Sequence, residues 1–182
     1  MRIIAGEWGG RPLRPPRGRK TRPTTDRIRE AWMSALGGRF DGFTVLDLYA
    51  GSGALGLETL SRGAEHVVFV EISRGAIRTL EANIESLDAG DRCRVVRDDA
   101  RRWVTTLDAG AFDLALADPP YGKGHAAGLL RLFERTPFAD ELWVEHRTDE
   151  RLPGIAGLRR REYGDTTLTA ITSPPPPEPR ST

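Results

Sequence analysis

A chain of 182 residues, 38% hydrophobic and 29% charged, is long enough for one buried core and has the balance of a soluble globular domain. No apolar run approaches the roughly 20 residues of a membrane span. The opening Met1-Arg2-Ile3-Ile4-Ala5-Gly6 is too short for a signal peptide, and the lone Cys93 excludes an internal disulfide. A cytoplasmic protein with no metal site is the expectation. Net charge is only +1, but residues 1–40 hold ten Arg or Lys against three Asp or Glu, and the remaining 142 hold seventeen against twenty-three. A basic segment on a mildly acidic body predicts a polyanionic partner. Only two of the 27 basic residues are Lys, and Arg forks onto phosphate and stacks on bases as Lys cannot.

Three stretches are expected: a basic extension (1–42), an α/β body (43–172) and a Pro-rich tail (173–182). In the extension, Arg2–Ala5 and Arg11–Arg14 read as two short strands of a hairpin around Gly6 and Gly9-Gly10. Trp8 reads as a packing residue of that hairpin. Arg17-Gly18-Arg19-Lys20-Thr21-Arg22 reads as a loop, and Pro23-Thr24-Thr25-Asp26 supplies helix N-caps. Ile28, Ala31, Trp32, Ala35 and Leu36 then make one apolar stripe at helical spacing, stopped by Gly37-Gly38.

In the body, strands are predicted at Val45–Leu48, His66–Val70, Arg94–Arg97, Phe112–Ala117 and Leu142–His146. Helices are predicted at Ala54–Arg62, Gly75–Leu87, Ala100–Leu107 and Gly128–Glu134. Two last strands, Arg159–Tyr163 and Thr167–Thr172, meet at Gly164-Asp165, a hairpin signal, and are predicted antiparallel. Repeated βα units predict a mostly parallel, seven-stranded Rossmann-like sheet with helices on both faces. Ligands of such a sheet sit at the carboxyl ends of the strands.

The first strand runs into Asp47-Leu48-Tyr49-Ala50-Gly51-Ser52-Gly53-Ala54-Leu55-Gly56. Gly51 and Gly53 permit a sharp turn and close approach of a ligand. The spacing also satisfies G-x-G-x-x-G, and Glu71 lies about twenty positions after Gly51, so a dinucleotide reading must be weighed. Asp47 argues against it, because an anion there suits the amino group of a methionine moiety, directly or through water, and not a pyrophosphate. No downstream segment supplies an evident hydride-transfer acid or base. The segment resembles the first motif of the class I methyltransferases. Glu71, with Ile72 after it, ends the second strand, where a carboxylate accepts both ribose hydroxyls. Asp99-Ala100 follows the third: Asp99 suits an adenine amino group and Ala100 leaves room for the ring, although Asp99 also reads as a plain N-cap. The expected cofactor set is therefore Asp47, Tyr49, Ala50, Gly51, Ser52, Gly53, Glu71, Ile72, Asp99 and Ala100, with S-adenosylmethionine as the cofactor.

Asp118-Pro119-Pro120-Tyr121, after the apolar strand Leu114-Ala115-Leu116-Ala117, is the most specific signal in the chain. It resembles the (Asn/Asp)-Pro-Pro-(Tyr/Phe) motif of amino-group methyltransferases. An exocyclic amine on a base is a poor nucleophile, because its lone pair is delocalised into the ring. Asp118 can accept one N–H and the Pro119 carbonyl the other, which favours a more tetrahedral nitrogen. The prolines fix φ near −65° and hold that carbonyl in place. Tyr121 can stack on the base. Catalysis by these four residues is positioning and charge stabilisation. A paired base must be extruded to reach them.

The chain resembles the bacterial 16S rRNA (guanine-N2)-methyltransferases of the RsmD type over nearly its whole length. The resemblance rests on Arg2-Ile3-Ile4-Ala5-Gly6-Glu7-Trp8-Gly9-Gly10-Arg11, on Arg22-Pro23-Thr24-Thr25-Asp26-Arg27-Ile28-Arg29-Glu30, on Gly51–Glu58 and on Asp118–Tyr121. It implies methylation of one guanine in 16S rRNA, within the 30S subunit or a late assembly intermediate; a monomer with no metal and no membrane partner is expected. Arg2, Arg11, Arg14, Arg17, Arg19, Lys20, Arg22 and Arg27 are the expected RNA contacts. The alternatives are a DNA adenine or protein glutamine methyltransferase, which the basic extension argues against, and a non-enzymatic assembly factor, which the intact tetrapeptide argues against. The Pro-rich tail and the tyrosines at 49 and 121 depart mildly from the family pattern.

Overall fold

The computed structural model describes residues 1–15 and 26–174, with side chains from Ile28 onward in the second stretch. Arg17, Arg19, Lys20, Arg22, the capping residues Pro23-Thr24-Thr25, the side chain of Arg27 and the tail beyond Pro174 lie outside the described residues. Helix α1 (Asp26–Ala35) precedes β1 (Thr44–Leu48), α2 (Ala54–Ser61), β2 (His66–Val70), α3 (Arg74–Ser86), β3 (Cys93–Val96) and α4 (Ala100–Val104). Then come β4 (Phe112–Ala117), α5 (His125–Arg135), β5 (Ala139–Arg147), β6 (Arg159–Tyr163) and β7 (Thr166–Thr172). The strands form one sheet in the order β3-β2-β1-β4-β5-β7-β6. The pairs from β3 through β5 are parallel, and β7 runs antiparallel to both β5 and β6. Among the described residues, no helix is long and apolar enough to cross a membrane.

Successive strand residues point to opposite faces, so each central strand feeds two cores. Val45, Val67, Phe69, Leu114 and Leu116 pack under α1, α2 and α3, with Trp32, Met33, Leu57 and Leu80. Leu46, Leu48, Val70, Ala115 and Ala117 pack under α4 and α5, with Val104, Leu129, Leu130 and Phe133.

The N-terminal hairpin lies on the first of these faces. It is held by Ile3 N–H to Arg11 O (2.9 Å), Gly10 N–H to Ile3 O (2.9 Å) and Leu13 N–H to Met1 O (3.0 Å). Its ladder is a single bridge, Arg2 to Pro12, where two full strand segments are expected. Pro12 has no N–H to offer, and the N–H groups of Ile4 and Ala5 turn instead to Glu58 of α2, at 2.8 and 3.1 Å. Ile3, Trp8 and Leu13 are buried in the α1–α3 core. Covered on its outer side, α2 is buried all round from Leu55 to Ser61, including Glu58. Glu58 is satisfied there by those two N–H groups and by Arg62 Nε at 2.7 Å, as a buried carboxylate must be. Gly6, at φ +87°, makes the close approach possible: a Cβ there would stand 1.8 Å from the Ser61 carbonyl oxygen.

Most element ends fall within one residue of expectation, and three differ by three residues. Helix α5 starts at His125, capped by Gly124 in the left-handed region, and Gly128 sits inside it. Helix α4 stops at Val104, because the hydroxyls of Thr105 and Thr106 donate back to Arg102 O and Trp103 O at 2.7 Å each and end the turn. Strand β5 begins at Ala139, where it pairs with Phe112 of β4.

Candidate active site

Strand register builds the site. Leu48 pairs with Val70 on one side and with Ala117 on the other, and Ala117 pairs with Val144. The next residue of each strand therefore falls on one edge: Tyr49 after β1, Glu71 after β2, Asp118 after β4, and Glu145 within β5. Asp99 reaches the same edge, three residues beyond Val96, the partner of Val70.

At the β1–β2 end, carboxylates hold backbone. Asp47 is 2% exposed, and one of its oxygens accepts the Gly56 N–H at 2.9 Å, tying the start of α2 to the strand beneath it. Burial pushes the Asp47 carboxyl up to about 7; the Gly56 N–H opposes this and the Glu71 charge adds to it. Glu71 accepts Gly51 N–H at 2.9 Å on one oxygen and Ser73 N–H at 2.8 Å on the other. It thus fixes the glycine loop against the turn into α3. Each oxygen keeps a second lone pair for a ligand hydroxyl. Gly51 and Gly53 have φ of +59° and +80°, and a Cβ at Gly53 would meet Leu80 Cδ1 at 2.3 Å. Ala50 and Ser52 are buried in the same loop. Ile72, next to Glu71, is 61% exposed, an apolar side chain left uncovered beside the loop. Across from it, Asp99 caps α4 by accepting Arg102 N–H at 3.0 Å, the alternative its sequence position left open, and Ala100 is buried behind it.

At the β4–β5 end, side chains hold one another. Tyr121 donates its hydroxyl hydrogen to Glu145 Oε1 at 2.5 Å, and Thr166 Oγ1 lies 3.4 Å away. Glu145, 2% exposed, accepts Trp32 Nε1–H on its other oxygen at 2.9 Å. Burial and the hydrogen bond to Glu145 both hold the Tyr121 phenol well above its ordinary range, so it stays a neutral donor. The sequence offered Tyr121 as a stacking ring; its hydroxyl anchor on β5 was not foreseen. Pro119 is buried, and Asp118 and Pro120 are half-buried at the end of β4.

A bridge joins the two ends. The Tyr49 hydroxyl lies 3.2 Å from His125 Nδ1, with the rings edge-on at 70°. Tyr49 takes φ 60°, unusual for a residue with a side chain. Burial pushes the Tyr49 phenol up to about 12, and burial followed by the Arg101 charge lowers the His125 imidazole, which stays neutral near pH 7.

Sequence reasoning missed Glu145 and Asn83. Asn83, 1% exposed, donates to Ser52 O (2.9 Å) and Arg14 O (3.1 Å) and accepts Arg14 N–H (2.8 Å). It links the hairpin to the glycine loop. Of the expected RNA contacts, Arg2, Arg11 and Arg14 are exposed, and the Arg11 guanidinium donates to Ser86 O on α3. Trp8 is closed off under the Arg92 guanidinium, 5.3 Å above its ring, as a packing residue should be.

The reversed β7 separates this sheet from the dinucleotide-binding version, whose sixth strand continues the parallel order. The chain is a class I methyltransferase. A family model described as conserved hypothetical protein 95 matches residues 1–172. The chain is 36% identical over 158 residues to ribosomal RNA small subunit methyltransferase D of Escherichia coli (strain K12), covering 85% of this chain and 79% of that one. It is 38% identical over 178 residues to the YlbH protein of Bacillus subtilis (strain 168), covering 91% and 95%. Among solved structures, yhhF of Escherichia coli superposes with a TM-score of 0.80 at 33% identity, covering 93% and 96%. A hypothetical protein of Thermus thermophilus, TTHA0928, gives 0.78 at 29%, covering 95% and 99%. The chain belongs to this family, the RsmD family of methyltransferases.

Proposed function

We propose that the chain transfers the methyl group of S-adenosylmethionine to the exocyclic N2 amino group of one guanine in 16S rRNA, on the 30S subunit or a late assembly intermediate. The observation that carries this reading is the register Leu48 to Ala117, which sets the glycine loop and Asp118 on neighbouring strands at one edge. Family membership and the named activity of the Escherichia coli relative support the rRNA substrate.

The residues present fit the cofactor. Glycines 51 and 53 leave backbone without side chains, Glu71 keeps lone pairs for ribose hydroxyls, and the uncovered Ile72 suits one face of an adenine. Asp47, Tyr49, Ala50, Ser52, Asp99 and Ala100 complete the cradle. The bound cofactor supplies an electrophilic methyl group on a sulfonium. Asp118 accepts one hydrogen of the guanine amine and the Pro119 carbonyl the other, leaving the nitrogen lone pair directed away from the ring plane. Pro120 stiffens the turn, and Tyr121, held by Glu145, walls the base pocket. Residues 1–42 form the RNA-contacting extension, with Arg2, Arg11 and Arg14 on its exposed side, and residues 43–172 form the transfer domain.

The test is transfer of radiolabelled methyl from S-adenosylmethionine to 30S subunits of a strain lacking the family enzyme, with duplex DNA as the comparison. Label in N2-methylguanosine of 16S rRNA is expected. Label in adenine, or on DNA alone, overturns the substrate.

A further inference from the structure

On the face of the sheet opposite the hairpin, α4 and α5 leave a cleft of about 390 Å³ between them. Four of its seven lining residues are arginine: Arg101 and Arg102 on α4, Arg131 and Arg135 on α5. Asp99 is its one acidic residue, and one of that carboxylate's oxygens is engaged in capping α4. Arg102 is tied to Asp98 one turn back. Arg101, Arg131 and Arg135 have no carboxylate within ion-pair distance among the described residues. Like charges gathered in a concave wall repel one another, and the arrangement is relieved by an anion that forks onto several guanidinium groups.

Gly128 seats one of these arginines. A Cβ on it would stand 3.2 Å from Arg101 Cδ and 3.4 Å from its Nη1, so the Arg101 stem lies across bare helix backbone. The cleft is also continuous with the catalytic edge. Asp99 belongs to both, and the Arg101 charge reaches Tyr49 and His125. His125 opens α5 four residues after Tyr121.

We propose that this cleft is a phosphate track, which binds the sugar-phosphate backbone of the RNA strand flanking the nucleotide to be methylated, on the opposite face of the sheet from the basic N-terminal extension. It rests on the RNA reading above. Guanidinium groups there contact phosphates without reading sequence, so the track orients the strand while the tetrapeptide selects the base.

The full-length protein is titrated onto 30S subunits lacking the methyl group, at several KCl concentrations and fixed magnesium. The variant is Arg101→Ala/Arg131→Ala/Arg135→Ala. Its charge-matched control is Arg39→Ala/Arg160→Ala/Arg161→Ala, three exposed arginines outside the cleft. For every phosphate no longer neutralised, the slope of log affinity against log salt falls by roughly 0.7–0.9. The cleft variant should therefore lose about two from that slope and bind tenfold or more weakly, with S-adenosylmethionine affinity and melting temperature at wild-type values. Gly128→Ala, which moves Arg101 without changing charge, should give a smaller loss in the same direction. Equal slopes for the cleft variant and the control overturn the track. An affinity loss with an unchanged slope would place a ribosomal protein against the cleft and also overturn it. A wild-type protein that binds no 30S subunit overturns the RNA reading itself, an outcome distinct from the other two.

Discussion

The two ends of the catalytic edge use carboxylates differently. At the β1–β2 end, Asp47 and Glu71 accept backbone N–H groups of Gly56, Gly51 and Ser73, so their oxygens shape a loop. At the β4–β5 end, Glu145 accepts side-chain donors, Tyr121 and Trp32, so its charge aims a ring and ties it to α1. On the proposed reading, the cofactor is served by a preformed backbone cradle, and the base that enters the pocket by side chains held in place from a neighbouring strand. Damage at the first end should appear in cofactor affinity, and damage at the second in turnover.

The sharpest break of that contrast is at Asp118. Asp118→Ala should keep cofactor and RNA affinity and lose on the order of 10²–10³ in single-turnover rate. Asp118→Asn keeps an acceptor oxygen and should fall between the two. A near-wild-type rate for Asp118→Ala would leave the Pro119 carbonyl and proximity to account for the chemistry.

Glu145 comes next. Glu145→Leu leaves Tyr121 and Trp32 without their shared acceptor and should lower kcat by roughly 10–100-fold with little change in KM. Gln can accept from Trp32 and donate to the Tyr121 oxygen, whose hydrogen then turns to Thr166, so Glu145→Gln should recover part of the rate. The loss in Glu145→Leu should not add to that of Tyr121→Phe, since both break the same hydrogen bond. A KM effect without a kcat effect would move Glu145 to the binding side of the comparison.

A smaller effect is expected at the first end. Glu71→Ala removes an acceptor from the glycine loop and, on the proposed reading, from the cofactor ribose. Calorimetry should show S-adenosylmethionine binding about 10–100-fold more weakly, in line with roughly 1.5–3 kcal/mol for a charged hydrogen bond. Unchanged affinity in a folded variant means that the ribose lies elsewhere.

The subtlest test is Asp47→Asn. Burial pushes the folded Asp47 carboxyl up to about 7, above its unfolded value of roughly 3.9, so the protonated form favours the fold. Its contribution is complete below about pH 4 and is lost as pH rises through about 7. Asn keeps the acceptor for Gly56 N–H and does not titrate. The melting temperature of Asp47→Asn relative to wild type should therefore rise by several degrees between pH 4 and pH 8. A flat difference would show that Asp47 is not held in a desolvated site.

The alternation of strand and helix, the glycine loop, Glu71 and the Asp118–Tyr121 tetrapeptide were all legible in the sequence. Each is a local pattern: period-2 and period-3.6 apolar spacing, or turn residues at the end of an apolar run. The Gly164-Asp165 hairpin that reverses β7 was legible for the same reason. Glu145 was not, because nothing within β5 signals that a residue from α1 and another from the β4 loop will meet there, 113 and 24 positions away. The burial of α2 on all sides depended on a hairpin more than fifty residues upstream folding over it, with Glu58 and Ser61 receiving its N–H groups. The arginine cleft needed α4 and α5 to lie side by side, although its residues are separated by a whole strand. Periodicity and turn chemistry act between near neighbours, and so sequence alone determined the elements and the loop ends. Pairing of buried polar groups and convergence of charge act through space, and only the tertiary structure decided which distant side chains share a carboxylate or a cleft.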